Sequence, residues 1–304
     1  MNRTEWLESG FPDNILQPVA GHMVVLDSAE EAHPHSHQKV QLLFAISGVI
    51  TVEVEAGLWT VPPGCAIWIP SGATHAARFV GQASIAMLYL APEIAASLRA
   101  ECGIIFVPPL LRELILRFSR SHTPFEDSGM VKAGVGGPSA REERLVAVLM
   151  DELAAAPEEP LHLPMPRDRR LRRIALAMLD DPAQRLTIDE WGARVGASNR
   201  TLSRLFREET GMSFGVWRHQ LHVGLGMQKL ASGASVTNVA LDLGYQNVGA
   251  FISMFKRMMG VSPARYFDLQ QETVGEAPSA EPMAPLAAAG AEVVEIGLER
   301  LRRR

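Results

Sequence analysis

The sequence predicts an α+β multidomain chain: a small N-terminal β-barrel, a few helices after it, and a C-terminal all-α domain. Three observations predict this fold. Short β-branched strands with glycine and proline turns precede Leu90, amphipathic helical patterns follow Arg169, and the last third of the chain contains an internal repeat. With 304 residues, 47% of them hydrophobic, the chain is long enough for two packed domains.

The barrel is expected between about Gly21 and Leu90. Its predicted strands are rich in β-branched and aromatic residues: Val40–Ile46, Val49–Glu55, Trp59–Val61, Ala66–Ile69 and Ile85–Leu90. Turn residues separate them, such as Ser47-Gly48 between the first two strands. A small molecule would bind between apolar walls in the interior, and the side chains expected to line it are Phe44, Trp59, Trp68 and Met87.

Two short motifs within these strands resemble those of the cupin superfamily, whose fold is a small β-barrel. The first motif is carried by His35 and His37, with Gln41 and Gly48 downstream. The second is carried by Gly64, Pro70, Gly72 and His75. The resemblance implies a cupin-like barrel, which in many regulators is the domain that senses an effector.

The resemblance also implies a set of metal ligands, because metal-binding cupins use two histidines and a glutamate of the first motif and a histidine of the second. These positions fall on His35, His37 and His75, with Gln41 replacing the glutamate. Three imidazoles and an amide oxygen could still hold Zn, Ni or Fe(II). Polar groups lining a metal-free effector pocket, or structural histidines, account for the motif equally well. His33 of the same run is expected to be solvent-exposed.

Helices are expected in residues 91–155, at Ile94–Ala100, Leu110–Ser121 and Arg141–Leu153. Their apolar stripes would pack onto the barrel or pair across a dimer. The glycine- and serine-rich segment from His122 to Ala140 is predicted to be a loop. Four prolines between Ala156 and Pro166 indicate an interdomain linker over residues 156–168.

The repeat in the last third consists of two helix-turn-helix units. At an offset of 48, Thr187 matches Ser235 and Gly196 matches Gly244. At an offset of 49, the second helix beginning after Ser198 matches the one beginning after Asn247. The single-residue change of offset falls in the turn. Each unit is a capped helix, a turn containing glycine, and a second capped helix.

The second helix of each unit is expected to read DNA, since one stripe docks on the protein and the other faces outward. In the first unit the outward residues include arginines, which can pair bidentately with guanine; the expected DNA contacts are Asn199, Arg200, Ser203, Arg204 and Arg207. In the second unit they are Asn247, Val248, Gly249, Ser253 and Lys256. The second set is poor in side chains that read bases, so it is expected to contribute mainly backbone contacts and shape fitting.

This region resembles the AraC family of bacterial transcription regulators over about Leu171 to Phe267. The resemblance is carried by TIDEWGARVGASNRTLSRLFREETG, VALDLGYQN, AFISMFKRMMG and VSPARY. It implies two helix-turn-helix subdomains joined by a long helix, here Phe214 to Leu230. It places the main base-reading positions on Arg200, Ser203 and Arg204, and in the second unit on Val248, Gly249 and Ser253. Many relatives carry arginine at the last of these positions.

Charge is distributed unevenly along the chain. The formal net charge is −5, but from Arg167 to Arg265 there are 15 Lys or Arg against 8 Asp or Glu, so this region carries +7 and the remainder −12. A basic module joined to an acidic one is typical of a sensor fused to a DNA reader. The two cysteines, Cys65 and Cys102, fit a reducing cytoplasm. No secretory signal or membrane span is expected.

The sequence therefore predicts a cytoplasmic, sequence-specific DNA-binding transcription regulator that is not an enzyme. Its expected partners are double-stranded operator DNA, a small-molecule effector, a second copy in a homodimer, and RNA polymerase. The alternatives are a cupin metalloenzyme fused to a DNA-binding module, and a constitutive DNA-binding protein with a structural barrel. The expected domains are residues 1–90, 91–155, the linker 156–168, the DNA-binding domain 169–268, and a disordered tail 269–304.

Overall fold

A computed structural model describes Asp13 and residues 16–26, 30–121 and 139–274. The chain divides into two compact units, one extending to His162 and the other comprising Leu163–Asp268. Within the described residues, no helix combines the length and the apolar character needed to cross a bilayer. The predicted loop from His122 to Ala140, apart from its last two residues, and the predicted tail from 275 onward lie outside the described residues.

Nine strands form one sheet: β1 (Val19–Leu26), β2 (Glu30–His35), β3 (Val40–Val54), β4 (Gly57–Val61), β5 (Cys65–Ile69), β6 (His75–Leu90), β7 (Gly103–Phe106), β8 (Glu158–Glu159) and β9 (His162–Pro164). The long strands β3 and β6 pair antiparallel along their whole length. β1 and β5 extend one half of this pair, and β2 and β4 extend the other half. This pattern forms the cupin-like barrel that the sequence predicts.

Strand alternation gives the barrel an inner and an outer face. The outer face is apolar and is covered by α2 (Pro109–Ser121) and α3 (Ala140–Ala155), which correspond closely to two predicted helices. Phe44 and Trp68 pack in this helix-covered cluster, so the expectation that they line the interior is wrong. Trp59 and Met87 do lie on the inner face, because they pair in register with Val52 and Leu43.

The predicted turn at Ser47-Gly48 is instead a bulge inside β3. Gly48 has a φ of 78°, which lets the chain add a residue without leaving the sheet. The Ser47 hydroxyl accepts a hydrogen bond from the Ser84 amide at 3.1 Å and so keeps the bulge attached to β6. The bulge also exchanges which residues of β3 face inward, which is why the two halves of the strand differ in parity.

The predicted helix Ile94–Ala100 is only one turn long, α1 (Pro92–Ala95). Arg99, within the predicted helix, makes contacts with other elements instead. The Arg99 carbonyl accepts the Trp68 indole N–H, and the Arg99 guanidinium donates to the carbonyls of Leu153 and Ala156 and to Glu158. Arg99 thus holds the C-terminal end of α3 against the sheet.

Three further segments differ from expectation. The predicted linker contains two short strands, β8 and β9, and β7 also joins the sheet after residue 90. Leu161 and Met165 of this segment are buried. Residues 269–274, expected in the tail, continue the last helix.

From Arg169 to Val274 the elements are all helices: α4 (Arg169–Asp180), α5 (Ile188–Val195), α6 (Asn199–Thr210), α7 (Phe214–Ala231), α8 (Val236–Asp242), α9 (Val248–Met259) and α10 (Pro263–Val274). α5 with α6 and α8 with α9 are the two predicted helix-turn-helix units. α7, which matches the predicted long helix, joins them and spans about 27 Å at 1.5 Å per residue.

Candidate DNA interface and candidate metal centre

The first helix-turn-helix unit is fixed by its caps and its turn. Thr187 and Glu190 form the predicted capping box, and Gly196 ends α5 with a left-handed φ of 70°. The Ala197 amide donates to the Gly192 carbonyl at 3.0 Å across the turn. A Cβ on Gly192 would lie 2.4 Å from the Ala197 carbonyl oxygen, so this position admits only glycine without a shift of the backbone.

The helix α6 separates docking residues from outward residues as predicted. Leu202 and Phe206 are fully buried, whereas Arg200, Arg204 and Arg207 are exposed. Arg204 forms an ion pair with Glu208 one turn later. The three arginines therefore stand on the solvent side of the helix, and one of them already has an acidic partner.

Asn199 and Ser203 are half-buried and belong to a local network. The Ser203 hydroxyl donates to the Asn199 side-chain oxygen at 2.9 Å, and the Asn199 amide donates to Asp189 of α5 at 2.9 Å. This network ties the start of α6 to α5. These side chains help to orient the helix, a role that sequence inspection missed because Asp189 lies in the other helix.

The second unit repeats this plan with different surface chemistry. Asn247 caps α9 by accepting from the Ala250 amide at 2.9 Å. Val248 is half-buried and Gly249 and Ser253 are exposed, so the first two turns of α9 present no cation. The exposed Lys256 and Arg257 lie in its last turn. The predicted contrast between the two units in exposed side-chain chemistry is present in the structure.

A buried polar contact joins the second helix-turn-helix unit to the loop before α5. The Tyr245 hydroxyl lies 2.9 Å from Nδ1 of His222 in α7, and Nε2 of His222 lies 3.2 Å from the Pro182 carbonyl oxygen. Burial, then the charge of Arg218, lowers the pKa of His222 to about 4. Sequence inspection missed this contact, since it joins three segments far apart in the chain.

The barrel brings together the histidines that the sequence selects. His35, His37 and His75 each place a ring nitrogen within 4.8 Å of the others, and His37 and His75 are buried. His35 and His75 are neighbours in register across β2 and β6. His33 is exposed, as predicted, and takes no part in the cluster through its side chain.

Each of the three imidazoles contacts a backbone carbonyl through its own Nδ1 atom. Their Nδ1 atoms lie 2.7, 2.7 and 2.9 Å from the backbone carbonyls of His33, Lys39 and Ala73. A carbonyl only accepts, so Nδ1 carries the proton and Nε2 presents a lone pair. Nε2 of His75 is buried and has no hydrogen-bond partner among the described residues. Burial, and then His35 nearby, lowers the pKa of His75 to about 3.

Gln41 completes the cluster from β3. Its side-chain oxygen lies 3.3 Å from Nε2 of His37, and its amide donates to the Tyr89 hydroxyl at 3.1 Å. Three lone-pair nitrogens and one amide oxygen therefore converge, which is the donor chemistry of a divalent metal site. The carbonyls on Nδ1 supply the outer contacts that orient metal-binding histidines. These residues fit a bound metal.

Two residues of this centre were not predicted. Tyr89 is buried and fixes the Gln41 amide; burial raises its pKa. His22 of β1 is buried and stacks on Tyr89, with ring centroids 6.0 Å apart. Burial lowers the pKa of His22 to about 4. A polar residue inside an otherwise apolar strand was the only sequence signal for either.

Comparison with protein families matches both units. A helix-turn-helix domain family matches residues 191–268, and a cupin domain family matches residues 22–91. The two matches fall on the helical unit and on the barrel described above.

The chain is also similar to individual proteins. The chain is 37% identical over 232 residues to the HTH-type transcriptional regulator NimR of Escherichia coli, a match that covers 76% of this chain and 81% of the relative. It is 31% identical to the regulator RipA of Corynebacterium glutamicum over 34% of this chain and 31% of that protein. Among solved structures, the DNA-binding domain of AdpA in complex with a target DNA is 28% identical, covers 32% of this chain and 88% of that one, and has a TM-score of 0.30.

Proposed function

This chain belongs to the AraC family of DNA-binding transcription regulators with an N-terminal cupin domain, and from that premise we propose that its barrel is a metal-dependent sensor. The observation that carries the proposal is the cluster of three histidines, each of which places a ring nitrogen within 4.8 Å of the others and contacts a backbone carbonyl through Nδ1. His35, His37 and His75 would hold Zn, Ni or Fe(II), with Gln41 as a neutral fourth donor. A bound ion would give the site a Lewis acid that can accept a further ligand.

A metal-free form of the centre is the main competitor. If the Gln41 amide turns over, it donates to Nε2 of His37 and accepts from the Tyr89 hydroxyl, which satisfies all of these groups without an ion. That network leaves Nε2 of His75 buried with no partner among the described residues. Such a group costs about 1–3 kcal/mol, and this cost favours the metal-loaded centre.

We propose that α6 carries most of the base reading and α9 mainly backbone contacts. Exposed Arg200, Arg204 and Arg207 support the first role, and the uncharged start of α9 supports the second. Selection of bound sequences from a random DNA pool by the full-length protein tests this division. The expected motif is strong in one half and vague about one helical turn away. Two equally strong halves would contradict it.

We propose that the barrel acts as a sensor and not as an enzyme. Gln41 replaces the charged ligand of the metal-dependent superfamily members, and the relatives above are named as transcriptional regulators. A ligand of the barrel can shift DNA affinity only as far as it binds the two states differently.

We also propose that the protein acts in the cytoplasm as a homodimer that forms through α2 and α3, where Leu110 and Val148 are exposed. We further propose that it contacts RNA polymerase.

The metal proposal is tested by equilibrium dialysis of the full-length protein against Zn, Ni or Fe(II), followed by elemental analysis. We expect a single ion per chain in the wild type, and its loss in His37→Ala and His75→Ala. His33→Ala is the matched control, because it removes an exposed imidazole from the same run and keeps the carbonyl that orients His35. Metal should then change the affinity for the selected DNA in the wild type and in His33→Ala only. A wild type that binds no metal contradicts the proposal.

A further inference from the structure

The donor set of the histidine centre carries no negative charge. His35, His37 and His75 would coordinate a metal as neutral imidazoles, and Gln41 would offer an amide oxygen. Among the described residues, no carboxylate and no thiol joins the three histidines within the 4.8 Å that separates them from one another. A divalent ion held there would keep its full charge of +2.

The barrel wall beside the centre is also uncharged. In register with His75, β3 and β4 place Val54 and Gly57, and the adjoining row is Ala77, Val52 and Trp59. On the other side, Gln41 pairs with Ile69 and with Tyr89, which is fully buried. Neither these rows nor the pair beside Gln41 provides a counter-charge for a cation.

Placing an uncompensated dication among buried neutral groups is costly, because charge in a medium of low polarity loses its hydration. A bound ion is often the largest local charge in its site and attracts whatever anion can reach it. In an enzyme-type cupin, the glutamate ligand compensates half of the ion's charge. In the present chain Gln41 compensates none of it, so the compensating charge has to come from a ligand outside the protein.

We propose that the barrel binds a small organic anion as an additional ligand of the metal, and that this class of molecule is the effector. The inference rests on the proposed metal site. Gln41 determines the specificity: its neutral amide, held toward His37 by the hydrogen bond to Tyr89, leaves the metal with enough positive charge to select an anion over a neutral molecule.

Cobalt(II) serves as the probe metal because its visible absorption reports changes of ligand. The full-length protein is loaded with cobalt at pH 7 in a non-coordinating buffer with perchlorate as the counter-ion. It is then titrated with azide and, separately, with acetate. We expect a saturable change of the visible spectrum with both anions, and none with the neutral analogue acetamide. The same titrations on His33→Ala should reproduce the wild-type result.

Gln41→Glu supplies the missing charge from within the site. We expect it to bind cobalt more tightly, because the carboxylate attracts the metal. We expect it to bind azide at least about tenfold more weakly than the wild type, because the carboxylate offsets the metal charge and repels the anion at short range. Cobalt binding without any response to azide or acetate, as when a bound hydroxide already supplies the charge, overturns this inference and leaves the metal proposal standing. If no cobalt binds, both fail. If Gln41→Glu does not fold, the wild-type titrations still decide.

Discussion

In α6 the residue at position 204 is an exposed arginine, whereas the equivalent residue of α9, Ser253, is an exposed serine. The two helices share an N-cap, a buried aromatic anchor and a left-handed glycine at the C-terminal end. Their difference therefore lies in the outward side chains and not in the backbone. The two helices thus share the framework that docks them on the protein and differ in the side chains that face solvent.

The turns of the two units also differ. Ala197 is followed directly by the cap Ser198, whereas the matching Tyr245 is separated from the cap Asn247 by an extra residue. The shorter turn brings the Ala197 carbonyl over Gly192. In the longer turn, the matching position tolerates Ala240, and Tyr245 is free to reach His222.

The largest expected effect is that of Gly192→Ala, because the new methyl group would meet a backbone oxygen at 2.4 Å. Overpacking of this kind costs up to about 3 kcal/mol of unfolding free energy. The second unit already carries alanine here, so a small loss would show that the two turns are interchangeable. Chemical denaturation measures the cost. Gly215→Ala, whose methyl would meet nothing within 4 Å, is the control.

The second-largest effect is expected from acid, which should weaken the contact between His222 of α7 and the second helix-turn-helix unit. The pKa of His222 is lowered to about 4, below its ordinary 6.5, so protons bind the unfolded chain first as pH falls. Stability contributed by the neutral imidazole is complete above pH 6.5 and is lost progressively below it, by about 2 kcal/mol at pH 5.

This acid effect is measured as the difference in unfolding free energy between pH 7.5 and pH 5 for the wild type and for His222→Gln. His22 and His75 of the barrel contribute in the same direction in both proteins, so the difference isolates His222. Equal losses in the two proteins would show that the contact with Tyr245 is not sensitive to acid.

Much of the structure of the two helix-turn-helix units could be predicted from sequence, because caps, glycine turns and apolar stripes are local patterns. Thr187, Ser198, Ser235 and Asn247 all cap the helices expected of them. The histidine cluster was also predicted, through the resemblance to the cupins. Contacts between distant segments, such as Tyr245 with His222, leave no local pattern.

The inner and outer faces of the barrel could not be derived from alternation alone. The bulge at Ser47 changes the parity of β3, so Phe44 faces the helices whereas Ile50 faces inward with Phe79. A shift of one residue exchanges the two faces of a strand. The hydrogen bond from the Gln41 amide to the Tyr89 hydroxyl depends on this same register, which explains why sequence inspection missed it.

Arg204→Ala should separate the two recognition helices by function. We expect the specific affinity to fall by about 1–2 kcal/mol, with relaxed preference at a single base pair, as for loss of a bidentate contact to guanine. Ser253→Ala, at the equivalent position, should leave affinity and preference unchanged. Fluorescence anisotropy on the selected sequence and its single-base variants measures both. Equal weakening on all sequences would mean that Arg204 contacts phosphate.

The smallest expected effect concerns the partner of Arg204. Glu208 must release the guanidinium before it can reach a base, whereas the equivalent residue of α9 is Arg257, which offers no such competition. Because an exposed pair is worth about 0–1 kcal/mol, Glu208→Gln should tighten specific binding by about 0.5 kcal/mol at low salt and less at high salt. Asp242→Asn makes the same change of net charge at an exposed ion pair in α8. If it tightens binding as much as Glu208→Gln does, then the gain comes from net charge and not from release of Arg204.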